Sequence, residues 1–186
     1  MKLYTLELPG LILFEQEIYS DKRGYFQEVY HFEKYQKYLP AGTVFVQDNL
    51  SYSRYGTIRG LHFQKEPYAQ AKLVRCTMGK ILDVAVDIRR NSLTFGKHIS
   101  VDLSDENHLQ LFIPKGFAHG FSVLSDYAIV EYKCDELYHS EFDAGIRYDD
   151  TTIGIDWKIN LNKCILSAKD KKLPLLNEFF ESMEEI

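Results

Sequence analysis

The sequence predicts a mainly β, antiparallel domain with a few short helices, and three observations carry that prediction. Apolar and polar residues alternate in many short runs. The runs are separated by Gly, Asn, Asp and Pro at hairpin-like intervals. Helical periodicity is confined to three short stretches.

Taken in chain order, HFEKYQKYL (31–39) carries the first helical pattern. In ILDVAVDIRR (81–90), Leu82, Val84, Val86 and Ile88 share one face, and Asp83, Ala85 and Asp87 share the other, the mark of a half-buried strand. The same period sets Ile99, Val101 and Leu103 against His98, Ser100 and Asp102, and it aligns Leu109, Leu111 and Ile113. Gly79-Lys80, Asn91-Ser92 and Asp105-Glu106-Asn107 supply turns between these runs, so the connections read as antiparallel. A turn near 167–171 and LLNEFFESMEE (175–185) complete the helical content. Many short strands remove their exposed edges either as a sandwich or as a closed barrel, and the patterning leaves both open.

Composition bounds the rest. With 186 residues, 45% of them hydrophobic, and no repeat, low-complexity tract or linker, the chain reads as a single domain over 1–186. At this length folding buries about 70% of the surface that the unfolded chain exposes, so stability requires no metal or disulfide. A formal charge of -5 gives no basic excess for a nucleic-acid backbone. Cys76, Cys134 and Cys164 are odd in number, far apart and outside any C-x-x-C pair, and read as buried small apolar residues. The N-terminal stretch is interrupted by Glu7 and Pro9 without a cleavage site, so no signal peptide is read. No run reaches the roughly 18 apolar residues of a membrane helix. Free cysteines and the missing signal point to the cytoplasm.

Three polar side chains interrupt strand runs on otherwise apolar or small phases. Tyr132 is in phase with Ala128, Val130 and Cys134, Lys72 with Val74 and Cys76, and His62 with Ile58, Gly60 and Gln64. A ligand-holding barrel puts its working groups at such positions. Phase alone also fits a core tyrosine whose hydroxyl meets a carbonyl, or a lysine snorkelling to water. A second histidine, His119, lies in IPKGFAHGF, where Pro and Gly fix a turn before an apolar strand.

IPKGFAHGF (113–121) resembles the second half of the cupin signature, and GLHFQ occupies the place where a metal-binding cupin carries His-x-His. Here the second histidine is Gln64 and the following glutamate is missing, so no metal is expected. A closer resemblance covers nearly the whole chain. DKRGYFQE (21–28), FVQDNLS (45–51), RGLHFQ (59–64), KLVRC (72–76), DVAVDIRRNSLTFG (83–96), IPKGFAHGF, VEYKC (130–134), DAGIRYDD (143–150), IGIDW (153–157) and LSAKD (166–170) fall in the order of the dTDP-4-dehydrorhamnose 3,5-epimerase family.

That resemblance implies a cupin-type antiparallel β-barrel, or jelly roll, and an isomerase inverting C3 and C5 of dTDP-4-keto-6-deoxy-D-glucose. It implies His62 as base, Asp170 as the carboxylate orienting it, Lys72 at the sugar carbonyl oxygen and Tyr132 as proton donor on the opposite face. Arg23, Phe26, Glu28, Gln47, Asn49, Arg59, His119, Asp143 and Lys169 match substrate-contacting positions, and Tyr138 matches the aromatic stacked on thymine. Asp143 stands where members often carry glutamate. The family also implies a homodimer sharing an N-terminal strand, which would bring Arg23 and Glu28 to a site otherwise built from mid-chain.

The chemistry explains the residue types. A proton leaves the carbon beside a ketone, an enolate forms, and a proton returns to the other face, with no redox cofactor required. An imidazole accepts protons near neutral pH, and a carboxylate on its other nitrogen holds the tautomer. A fixed cation answers charge on the enolate oxygen. Arg23, Arg59 and Lys169 supply positive charge for a diphosphate on an acidic protein. The alternatives are an epimerase inverting one carbon of a related nucleotide sugar, a barrel that binds a sugar nucleotide without turning it over, and a metal-dependent cupin oxygenase, which Gln64 opposes.

Overall fold

The computed structural model describes residues 1–184. Thirteen strands follow in order: β1 (Lys2–Thr5), β2 (Ile12–Glu15), β3 (Ile18–Asp21), β4 (Gly24–Gln27), β5 (Gln47–Arg54), β6 (Ile58–Gln64), β7 (Lys72–Met78), β8 (Lys80–Asp87), β9 (His98–Ser104), β10 (Leu109–Ile113), β11 (Phe117–Val123), β12 (Tyr127–Cys134) and β13 (Asp143–Gly145). Helix α1 (Phe32–Tyr35) precedes β5, and α2 (Leu176–Glu184) follows two 3-10 turns at Leu161–Lys163 and Asp170–Lys172.

A six-stranded sheet, β1-β2-β10-β7-β12-β5, faces a five-stranded sheet, β13-β6-β11-β8-β9, and β3 pairs with β4 in a separate ribbon. Each ladder pairs antiparallel. Two facing sheets with these crossovers make the jelly-roll form of a cupin barrel, as expected. Val74, Leu111, Ile113 and Val130 of the first sheet meet Ile81, Ala85, Leu103 and Phe121 of the second to fill one part of the interior. The remainder is the polar cavity described below.

Two predicted hairpin turns are corners instead. β7 and β8 flank Gly79 but lie in different sheets, and β9 and β10 flank Asp105–Asn107 in the same way. Gly79 has φ +78°, and a Cβ there would lie 2.1 Å from the Tyr127 carbonyl oxygen, so only glycine turns this corner. The Asn91-Ser92 turn does join paired strands, β8 and β9.

β8 also departs from the half-buried reading, being buried on both faces from Ile81 to Asp87. The chain after β13 wraps the outer surface of the second sheet, packing Ile146, Ile153, Trp157 and Leu176 on Leu82, Val84 and Val86. Hydrogen bonds fix that wrap: Trp157 Nε1 donates to the Tyr148 carbonyl at 2.7 Å, and Ser122 Oγ donates to the Trp157 carbonyl at 2.7 Å. The helical pattern at 31–39 yields one α-turn that places Tyr35 on Phe14 and Phe112. Pro40 follows and disfavours helical geometry in the preceding residue. Cys76 and Cys134 are buried as read, whereas Cys164 is only half-buried. Among the described residues no helix is long and apolar enough to cross a membrane.

Candidate active site

Two adjoining hollows of about 270 and 210 Å³ open into the barrel and share His62, Lys72, Tyr132 and Lys169. The strands that deliver these side chains come from both sheets. β6 and β11 bring His62 and His119 from the five-stranded sheet, with the two histidines directly opposed across the ladder. β7 and β12 bring Lys72 and Tyr132 from the six-stranded sheet. Glycine makes the histidine pairing feasible, because a Cβ on Gly120 would lie 2.7 Å from the Arg59 carbonyl oxygen where the register shifts between His119 and Phe121.

His62 Nε2 lies 2.7 Å from Asp170 Oδ1, across 108 residues of sequence. The His62 side chain is 32% exposed, while that of Asp170 is 4% exposed. Burial alone would raise the Asp170 carboxyl, but hydrogen bonds from His62 and Ser167, the Gly60 backbone and attraction to His62 outweigh it and lower its pKa. The carboxylate therefore accepts, and His62 Nε2 carries the hydrogen.

His119 forms a second pair, with Nε2 2.7 Å from Asp83 Oδ1, and both side chains are buried. Asp83 was missed by the sequence reading because the alternation of β8 placed it on a solvent face. That face, shared with Ile81 and Ala85, instead looks into the barrel toward the six-stranded sheet, where Asp83 is fully buried, while the C-terminal segment covers the Leu82, Val84 and Val86 face.

Lys72 is buried, and burial pulls its pKa below the ordinary lysine value against the opposing pull of Cys134, Asp143 and Asp83. Its Nζ stands 6.0 Å from the Tyr132 ring centroid. Burial raises the Tyr132 pKa, so the phenol stays protonated at neutral pH.

The cavity mouth carries most of the remaining expected residues. Lys169 Nζ pairs with Asp143 Oδ2, and the Tyr138 hydroxyl donates to the same oxygen at 2.9 Å. Gln47 Nε2 donates to Asn49 Oδ1 at 2.9 Å, while Gln47 Oε1 accepts from the Tyr138 backbone N–H at 2.9 Å. Asn49 Nδ2 points to Cys134 Sγ at 3.7 Å. Arg59 is steadied by Ser53 Oγ, 2.9 Å from its Nε, an orienting contact that the sequence did not signal.

Arg23, Phe26 and Glu28 do not join this constellation. They lie on or just beyond the β3–β4 ribbon, and none lines the hollows that hold His62. The Arg23 side chain is 90% exposed and pairs with Asp21 at 2.5 Å. Phe26 is 68% exposed, and Glu28 pairs with Lys34 at 2.6 Å.

A base-like histidine, a buried lysine and a protonated tyrosine around one polar cavity suit proton transfer beside a carbonyl. The profile of the dTDP-4-dehydrorhamnose 3,5-epimerase family matches residues 5–178. The dTDP-4-dehydrorhamnose 3,5-epimerase of Methanothermobacter thermautotrophicus is 52% identical over 172 residues, covering 92% of each chain. That of Escherichia coli K12 is 48% identical, covering 96% of each chain. Among solved structures, a Legionella pneumophila dTDP-6-deoxy-D-glucose-3,5-epimerase in complex with dTDP-4-keto-L-rhamnose superposes with a TM-score of 0.91 at 44% identity, over 95% of this chain and 93% of that one. A 3′-monoepimerase from Streptomyces bikiniensis in complex with dTDP-quinovose has a TM-score of 0.90 at 29% identity, over 96% of this chain and 89% of that one. On sequence, fold and cavity together, the chain belongs to the dTDP-4-dehydrorhamnose 3,5-epimerase family.

Proposed function

We propose that this protein inverts C3 and C5 of dTDP-4-keto-6-deoxy-D-glucose to give dTDP-4-keto-L-rhamnose, a step of dTDP-L-rhamnose biosynthesis, and that the 186 residues act as one catalytic domain. The observation that carries this reading is the His62–Asp170 pair at 2.7 Å, lining one cavity with Lys72 and Tyr132.

In this mechanism Asp170 keeps hydrogen on Nε2 of His62, leaving Nδ1 to take the proton beside the ketone. The imidazolium that forms is stabilised by the same carboxylate. Negative charge moves to the ketone oxygen, where the Lys72 ammonium answers it inside a poorly solvated site. Tyr132 returns a proton from the facing sheet, so acid and base approach the sugar from different walls of the barrel. Exchange with solvent returns the proton from His62 and restores that of Tyr132, and the order of events then repeats at the second carbon.

Arg59 and Lys169 hold the diphosphate, with His119, Gln47, Asn49 and Asp143 contacting substrate and Tyr138 stacking on thymine. Arg23, Phe26 and Glu28 complete the site of a partner subunit in a homodimer. Two observations support that assembly. The ribbon holding these residues is exposed. β5 turns its polar Gln47, Asn49 and Ser51 inward and leaves Leu50 63% and Tyr52 55% exposed, an apolar outer face suited to a second sheet. The enzyme works in the cytoplasm.

The second reading, inversion at C3 alone, is favoured by the close superposition on the 3′-monoepimerase. The higher identity to 3,5-epimerases, 52% and 48% against 29%, supports the double inversion. Proton NMR of dTDP-4-keto-6-deoxy-D-glucose incubated with the protein in D₂O separates the two. Deuterium entering both C3 and C5 is expected. Entry at C3 alone establishes the second reading, and no exchange rejects both for this substrate.

A further inference from the structure

Gln64 ends β6 two residues after His62 and shares its phase, so its side chain also lines the cavity. It is 5% exposed, and its amide is committed to backbone groups on both sides of the mouth. Nε2 donates to the Tyr68 carbonyl at 2.7 Å and to the Leu137 carbonyl at 3.0 Å. Oε1 accepts the His139 N–H at 2.5 Å. The carbonyl before Tyr138 and the N–H after it are thus both held by one side chain. The Tyr138 N–H is itself held by Gln47, and Gln70 Nε2 donates to the Glu136 carbonyl at 2.8 Å. Stacking of Tyr68 on His139, with ring centroids 3.8 Å apart, closes the same junction between the 65–71 and 135–142 segments.

This network leaves the Tyr138 ring 55% exposed while fixing the backbone on either side of it. A free loop would have to be ordered whenever a base stacked on that ring, at a cost in affinity. We infer that Gln64 is a positioning residue for nucleotide recognition: without touching the base, it holds the Tyr138 segment in the geometry that receives it. The inference rests on the reading of Tyr138 as the ring that stacks on thymine. It also gives the position resembling a cupin metal ligand a different task, because the amide is turned to backbone groups at both ends and amide oxygen is a poor substitute for imidazole at a metal.

The test is Gln64→Met, which keeps length and bulk and removes all three hydrogen bonds. Its dTDP dissociation constant is expected to rise about tenfold. Inorganic pyrophosphate, which has no base, should bind as to the unaltered protein, and kcat should stay within about threefold. In a Tyr138→Ala background the same substitution should change dTDP affinity by less than about twofold, since the ring it positions is gone. Unchanged dTDP affinity in Gln64→Met overturns the inference. So does a loss that persists undiminished in the Tyr138→Ala background, or one shared by pyrophosphate and kcat. Tyr138→Ala binding dTDP with unaltered affinity overturns the stacking reading itself, and this inference with it. Should Gln64→Met fail to fold by its melting curve, Gln70→Met probes the same segment. About threefold weaker dTDP binding supports the inference, and unchanged binding overturns it.

Discussion

The cavity walls and the β3–β4 ribbon carry residues matched to the same active site, yet the two regions differ in every physical respect. In the cavity, Lys72 is buried, and Asp83, Asp170 and His119 are buried and oriented by partners distant in sequence. On the ribbon, Arg23 pairs with Asp21 two residues away, and Phe26 faces solvent. Buried charge is held in place because moving it would leave it unpaired in a medium of low dielectric. An exposed ion pair contributes little and is readily exchanged for another partner. The cavity is preorganised within one chain, whereas the ribbon is exposed and its charges pair only with near neighbours.

The largest expected effect lies at the centre of the preorganised region. His62→Ala should lower proton exchange at both C3 and C5 by about 10⁴-fold, read by NMR in D₂O. Substantial exchange at either carbon would remove His62 as the common base. Lys72→Met should cost about 10²- to 10³-fold in kcat, the effect of losing one donor at a developing oxyanion. Lys72 also sets a pH limb. Its ammonium is the active form and burial lowers its pKa, so activity should fall with rising pH from below the ordinary lysine value of about 10.4. Burial raises the Tyr132 pKa, so a limb from that phenol would lie above the ordinary tyrosine value. Lys72→Arg should retain charge and abolish this limb in the pH–rate profile; an unchanged limb assigns it elsewhere.

Tyr132→Phe sharpens the contrast between the two sheets. Deuterium exchange should continue within about threefold while net inversion falls about 10²-fold, because abstraction from one wall does not require the acid on the other. Normal inversion by this variant would return Tyr132 to the core. The smallest expected effect addresses the ribbon. Arg23→Ala and His62→Ala proteins, each nearly inactive in its own way, should regain about a quarter of the unaltered activity when mixed and allowed to exchange subunits. A mixed dimer holds one intact site if Arg23 serves the partner, and none if it serves its own chain. No recovery in mixtures verified to contain mixed dimers would place Arg23 with its own chain.

Much of this was legible in the sequence. The alternation in 98–104 and 109–113 marks the faces that pack in the interior, since Val101, Leu103 and Leu111 all join its core. The phases of Lys72 and Tyr132 identified inward polar groups because Val74 and Val130, two residues away, share the same direction, whereas Ile58 gave no such guide to His62, since it packs with Leu61 and Phe63 under the C-terminal wrap. The motif order along the chain carried the family. Asp83 was not legible, because alternation says only that its face differs from that of Leu82 and Val84. Nor was the role of Gly79 as a corner, since a turn residue looks the same whether its strands pair or part.

The sequence by itself determined the local content of this protein: its strand alternation, its turn positions, the inward phases of Lys72 and Tyr132 and the residue types suited to enolate chemistry. Only the tertiary structure decided which of those residues meet. It joined His62 to Asp170 across 108 positions, buried Asp83 behind His119, and closed Gln64 over the segment that presents Tyr138. The physical reason is that side-chain periodicity is fixed by backbone geometry within a few residues. What covers a face, and what faces a cavity, depends on pairings between strands far apart in the chain.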